Sequence, residues 1–161
     1  MSGGGPGAAA ILTEAGISFE LRRHADLGGP VRAPTDVARL LGYDIGRITK
    51  TLLVVDQRLR DRCALAVVPV TARTDFVAVG RSQGWARAEM ARPEELAGLL
   101  AQPPKGVSPV VPAPIPVVVD QSLVAHPTVL IGSGDVGVEI EIEPAALIGA
   151  TGATLGWLTA K

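Results

Sequence analysis

The chain has 161 residues, 47% of them apolar but only 3% aromatic, with a formal charge of −1 and one cysteine. That length accommodates one domain around an aliphatic core, and lone Cys63 excludes an internal disulfide framework and fits a reducing compartment. Residues 1–105 balance to +3 and the remainder to −4, without the basic stripe of a duplex-binding protein, so duplex DNA is excluded as a partner and any nucleic-acid contact is expected to be small and local.

Residues 1–7 read as a disordered tail. They lack the basic and apolar regions of a signal peptide, and no later stretch reaches membrane-spanning length, so a soluble cytoplasmic protein with no membrane partner is expected. The domain then runs over 8–161. Ala8 to Glu14 forms a helix that Gly16 stops, and Ile17 to Leu21 alternates as a half-buried strand does. After a loop with Gly28, Gly29 and Pro30, Thr35 or Asp36 caps a short helix with Val37, Leu40 and Leu41 on one face and Gly42 as its stop. Strands over 50–56 and 63–69 make a hairpin around polar residues 57–62. Cys63 opens the second of these apolar runs and is expected to be buried rather than reactive. Helices follow over Asp75–Ser82 and Pro93–Leu100, with a short strand Trp85–Met90 between them. A proline-rich segment (Pro103, Pro104, Pro109, Pro112, Pro114, Pro116) reads as an ordered surface loop. Strands at 115–119, 127–131 and 137–142, a helical turn from Pro144 to Ile148, and an apolar tail holding Trp157 complete the chain. The fold class expected is mixed α/β: a mainly antiparallel, curled mixed sheet with helices packed outside.

Three segments carry chemistry. Lys50 stands where the chain enters the apolar strand Leu52-Leu53-Val54-Val55, in a sequence with three lysines against twelve arginines. Its stem can lie on the core while its ammonium reaches a cleft. The loop Lys105-Gly106-Val107-Ser108-Pro109 is stiff, and Gly132-Ser133-Gly134 is a turn whose small residues let a ligand approach the backbone. Gly132 to Gly137 matches G-x-G-x-x-G, but the period-two run Val138 to Glu143 behind it is a strand where a dinucleotide fold needs a helix, so no nucleotide cofactor is expected. His24 and His126 lack ligand-spaced partners, which argues against a metal. Glu139, Glu141 and Glu143 share a strand face that reads as solvated. Asp120 reads as a structural cap that could also orient a loop or touch a ligand. No serine sits in a G-x-S-x-G elbow. Arg22, Arg23, Arg32, Arg39 and Arg47 are available for local contact with nucleic acid, although scattered surface charges are the plainer reading.

The order of these segments resembles the YbaK family of prolyl-tRNA-synthetase-associated (ProX-like) aminoacyl-tRNA deacylases. The shared marks are Gly16-Ile17-Ser18-Phe19, then Ile48-Thr49-Lys50-Thr51-Leu52-Leu53-Val54 and Ala64 to Pro69. Gly106-Val107-Ser108-Pro109, Pro116 to Asp120, and Gly132-Ser133-Gly134 leading into Gly137-Val138-Glu139-Ile140 follow. The resemblance implies trans-editing: hydrolysis of the ester of mischarged aminoacyl-tRNA carrying a small amino acid such as Ala, Cys or Ser, with tRNA-Pro a candidate carrier. It implies Lys50 as the catalytic residue and Thr51, Gly106, Val107, Ser108, Pro109, Gly132, Ser133 and Gly134 around the substrate. It also implies no cofactor, the 3′ CCA end as partner, and a synthetase as a further candidate partner. The chain departs from the family at Lys105, where the loop usually opens on glycine, and at His24 and Ala33, near positions that often carry aromatics. Lys105 therefore motivates an alternative, a non-catalytic module of the same fold that recognises a tRNA 3′ end or a synthetase.

Overall fold

A computed structural model describes residues 7–103 and 105–160, so most of the expected tail, and Pro104, lie outside the described residues. In chain order the first half holds α1 (Ala8–Glu14), β1 (Glu20–Arg23), α2 (Pro34–Leu41), β2 (Thr49–Asp56), β3 (Cys63–Pro69), β4 (Arg73–Thr74) and α3 (Phe76–Ser82). The second holds β5 (Ala88–Met90), α4 (Pro93–Leu100), β6 (Val117–Asp120), β7 (Val129–Gly132), β8 (Val138–Ile142), α5 (Pro144–Thr151), β9 (Thr154–Gly156) and β10 (Thr159–Ala160).

The central sheet has five strands in the order β5-β2-β3-β6-β9. β2 is antiparallel to β3 and β5, whereas β6 runs parallel to β3 and β9. Leu65 and Val67 pack with Leu12, Ile131 and Leu147 on one face, and Ala64, Ala66 and Val68 meet Val79, Trp85 and Leu158 on the other. A strand covered on both faces requires a continuous apolar run, which Cys63–Val68 supplies. Burial pushes the Cys63 thiol pKa up, away from the reactive thiolate. A second, antiparallel sheet, β1-β8-β7, is tied to the first where Ile48 bridges Leu130. The expected mixed α/β architecture with mainly antiparallel pairing is the one observed.

The boundaries that differ have local causes. The first strand starts at Glu20, not Ile17, because its ladder with β8 begins at the Glu20–Glu141 pair. α2 starts at Pro34, which needs no backbone donor, and Asp36 reaches back to accept from the Arg32 and Ala33 N–H groups at 2.8 and 3.1 Å. Trp85 is not in a strand; its ring is buried beside α3, and pairing starts at Ala88. The last helix continues to Thr151, and the tail contains two further strands, with Leu158 buried and Trp157 72% exposed.

The glutamate row is not a solvated face. Glu141 is only 7% exposed. It accepts from Arg22 Nε at 2.7 Å, Tyr43 Oη at 2.8 Å and Thr128 Oγ1 at 2.5 Å, with Arg47 Nη2 at 3.4 Å. The Arg47 guanidinium also lies 3.6 Å from the Tyr43 ring centroid, so Arg22 and Arg47 are engaged inward rather than held out for a partner. Burial pushes the Glu141 carboxyl up, but the bonds from Thr128, Arg22 and Tyr43 outweigh it and hold the pKa below the ordinary 4.5. Glu141→Ala, which strands two guanidinium groups, is expected to cost about 3 kcal/mol in denaturant unfolding at neutral pH. A depressed carboxyl pKa stabilises above its unfolded value and stops doing so as pH falls through the folded one. The gap between wild type and variant should therefore narrow below the ordinary glutamate range.

Candidate active site

The site opens where the edge of β2 is left unpaired. β5 pairs with β2 only from Val54 to Asp56, and the bridge to β7 lies at Ile48. Between them the edge of Lys50–Leu52 faces no strand, and a cavity of about 490 Å³ occupies the gap. That volume suits a nucleoside-sized ligand rather than a duplex. Its walls are Thr49–Leu52, the start of α2 with Ala33, Pro34 and Val37, the loop Lys105–Val107, and the β7–β8 turn.

Lys50 lines the cavity, and its Nζ donates to the Ala72 carbonyl at 3.0 Å. Lys50 stands opposite Val68 in the hairpin, and the turn after β3, closed by the Ala72 N–H on Pro69 O, carries that carbonyl over the strand. The ammonium is thereby fixed at one end while two of its three donor positions remain. Thr51 also lines the cavity; its Oγ1 is buried without a hydrogen-bond partner among the described residues.

Loop and turn are locked together by glycine. A Cβ at Gly132 would sit 2.1 Å from the Val107 carbonyl oxygen and 2.7 Å from that of Gly106, so only glycine permits this approach. The Gly134 N–H donates to Gly106 O at 2.7 Å, and Gly106 itself has φ +80°. Gly106, Val107 and Gly132 line the cavity. Ser108, Pro109, Ser133 and Gly134 stand behind that wall. Ser108 is 1% exposed, its N–H donates to Gln102 Oε1 at 2.8 Å, and its Oγ accepts from the Val110 N–H. Ser133 Oγ donates to Val138 O at 2.7 Å and closes the turn. The sequence motifs are contiguous, but only part of each faces the space. Asp120 is remote from the cavity: it accepts from the Leu158 N–H at 2.8 Å and from the Ser122 N–H at 3.2 Å, a structural cap.

His24 lines the cavity wall, and its Nε2 lies 3.0 Å from Glu139 Oε2. The His24 N–H donates to Gly137 O and extends the β1–β8 ladder by one residue, which sets the ring diagonally across from Glu139. Burial pushes the Glu139 carboxyl above its ordinary range, and the hydrogen bond from His24 offsets part of that. Sequence reading missed Glu139 as a cavity residue; the available signal was its cross-strand position beside Arg22 and Arg23. Lys105 is exposed at the cavity edge. No group of three or more His, Cys, Asp or Glu able to hold a metal occurs among the described residues, and none of their helices is long and apolar enough to cross a membrane.

A small cavity walled by a strand-entrance lysine and a glycine-locked loop, on this two-sheet scaffold, is the architecture of an editing domain. The aminoacyl-tRNA editing domain profile matches residues 29–150, and the chain belongs to that family. EbsC of Enterococcus faecalis (strain ATCC 700802 / V583), provisionally named a Cys-tRNA(Pro)/Cys-tRNA(Cys) deacylase, is 25% identical over 126 residues, which cover 78% of this chain and 76% of EbsC. The crystal structure of a candidate trans-editing enzyme for prolyl-tRNA synthetase superposes with TM-score 0.80 at 25% identity, over 94% of each chain. The crystal structure of hypothetical protein APE2540 does so with TM-score 0.81 at 28% identity, over 94% of this chain and 98% of that one. These likenesses accord with the YbaK-like resemblance read from the sequence.

Proposed function

We propose that this protein is a trans-acting aminoacyl-tRNA deacylase that hydrolyses the ester between a small amino acid and the 3′-terminal adenosine of tRNA. The observation that carries the reading is the juxtaposition, around one cavity, of the Lys50 ammonium and the Gly106–Val107 backbone. Water adds to the ester carbonyl carbon, the resulting oxyanion collapses, and the bond to the ribose oxygen breaks. The ribose oxygen takes up a proton, and the amino acid leaves as its carboxylate. An ester is already activated, so positioning and oxyanion stabilisation suffice without a covalent nucleophile. The hydrogen bonds narrow the donors. The Ser108 N–H is occupied by Gln102 and the Gly134 N–H by Gly106 O, whereas the Gly106 and Val107 N–H groups have no acceptor among the described residues. Gly106 and Val107 are thus the assigned oxyanion donors, and Lys50 anchors the terminal nucleotide or the developing charge.

The apolar walls formed by Val31, Val37, Val107 and Val138 favour a short side chain. Lys105 is exposed at the edge rather than buried in the space, which supports hydrolysis over the non-catalytic alternative. The test is a deacylation panel with alanyl-, cysteinyl- and seryl-tRNA, tRNA-Pro included as a carrier. Release of at least one amino acid well above the uncatalysed rate is expected. Tight binding of a CCA-ended minihelix with no release from any member would overturn the enzyme in favour of the binding module.

A further inference from the structure

We propose that the hollow on the other side of Lys50 is a binding groove for the single-stranded 3′ end of the tRNA, taking the nucleotides that precede the terminal one. The proposal rests on the deacylase reading and extends it. Lys50 and Leu52 line two spaces at once: the candidate active site and a second hollow of about 670 Å³. Arg73, Phe76, Arg87 and Met90 also line the second. A third depression of about 470 Å³ shares Phe76, Arg87 and Met90 and continues the path toward Gln57. The three spaces therefore form a route along the unpaired edge of β2, with Lys50 at its inner junction.

The chemistry of the route is that of a single-strand channel, cations for phosphates beside apolar surfaces for bases. Arg73 and Arg87 are exposed and make no ion pair among the described residues. The acids nearby are already engaged. Asp75 Oδ1 accepts from the Val77 and Ala78 N–H groups at 3.1 and 3.0 Å, and Glu89 Oε2 pairs with Arg60 Nη1 at 2.8 Å. Met90 is 47% exposed, unusual for an apolar side chain at the end of a strand, and Phe76 lies beside it in the same hollow. A terminal nucleotide seated in the active site must lead its strand out somewhere, and this exit carries the complementary charge.

The experiment compares the wild type with Arg73→Glu/Arg87→Glu and with the milder Arg73→Gln/Arg87→Gln. Each is given aminoacyl-tRNA and the short ester 3′-O-aminoacyl-adenosine. Binding of a fluorescent CCA-ended single-stranded oligonucleotide is measured across a salt series, with thermal unfolding of every variant. In the charge-reversal variant, kcat/KM on tRNA relative to the short ester should fall at least about tenfold through KM. The salt slope of oligonucleotide binding should fall by about 2, one for each lost phosphate contact. The glutamine variant should fall between it and the wild type. An unchanged tRNA-to-ester ratio with an unchanged salt slope overturns the groove. So does equal displacement of the oligonucleotide by a polyglutamate peptide, which would mark a site for acidic peptides. If the wild type hydrolyses neither substrate yet binds the oligonucleotide through Arg73 and Arg87, the deacylase reading falls and the groove stands.

Discussion

Lys50→Ala is expected to lower kcat/KM for deacylation by about 10²–10³-fold, the loss seen when one preorganised charge-stabilising donor is removed from a water-excluded site. The fold should survive. Lys50 gives up one hydrogen bond, to Ala72 O, worth about 1 kcal/mol, which in a domain of this size moves the melting temperature by about 2–4 °C. Lys50→Arg separates two roles. If the ammonium only neutralises a phosphate, arginine keeps much of the binding and KM changes little. If it must sit at one point relative to the reacting ester, the planar, bulkier guanidinium cannot replace it and kcat falls almost as far as in the alanine variant. Steady-state kinetics on cysteinyl- and alanyl-tRNA, alongside thermal unfolding, decide between them. Unchanged turnover by Lys50→Ala on alanyl-, cysteinyl- and seryl-tRNA alike would remove Lys50 from the chemistry.

The parts of the fold visible in the sequence are those encoded locally. The helix over Pro93–Leu100 carries its own start signals in Pro93, Glu94 and Glu95, and the β2–β3 hairpin is two apolar runs around a polar loop. Elements defined by remote partners were not visible. β9 exists because β6 lies parallel beside it, with Val119 opposite Leu155, and nothing in Thr154-Leu155-Gly156 announces that neighbour. The glutamates show the same limit more sharply. Period-two spacing establishes that Glu139 and Glu141 share a face but not what the face meets. Their partners, His24 and Arg22, lie 115 and 119 residues earlier. In the site, Lys50, Gly106, Val107 and Gly132 were legible because order along the chain constrains which loops can meet. Ser108, Pro109, Ser133 and Gly134 were swept in with their motifs. Only the folded backbone separates residues that face the cavity from those that brace it.

Gly132→Ala tests that bracing more severely than any change to a side chain in the cavity. Its new methyl would need to occupy space 2.1 Å from Val107 O, and the obstacle is backbone on a second loop, which no rotamer change relieves. Either the Lys105–Val107 loop or the turn must move, and the N–H groups assigned to the oxyanion move with it. Misplacement by about 1 Å is enough for a rate loss of about 10²-fold, and overpacking of this kind costs about 1–3 kcal/mol. The variant should therefore lose kcat far more than KM while melting about 3–10 °C lower. Gly134→Ala, two residues on, supplies the contrast. It also has a left-handed φ of +91°, but nothing except the flexible Gln102 side chain lies within 4 Å of its added Cβ. Alanine there strains one residue by about 1–3 kcal/mol and keeps the N–H that holds Gly106 O. Its stability penalty should match that of Gly132→Ala, and its kcat should stay within about tenfold of wild type. Equal kcat losses in the two variants would mean that the loop contributes by its stability alone, and the assignment of the Gly106 and Val107 amides to the oxyanion would have to be abandoned.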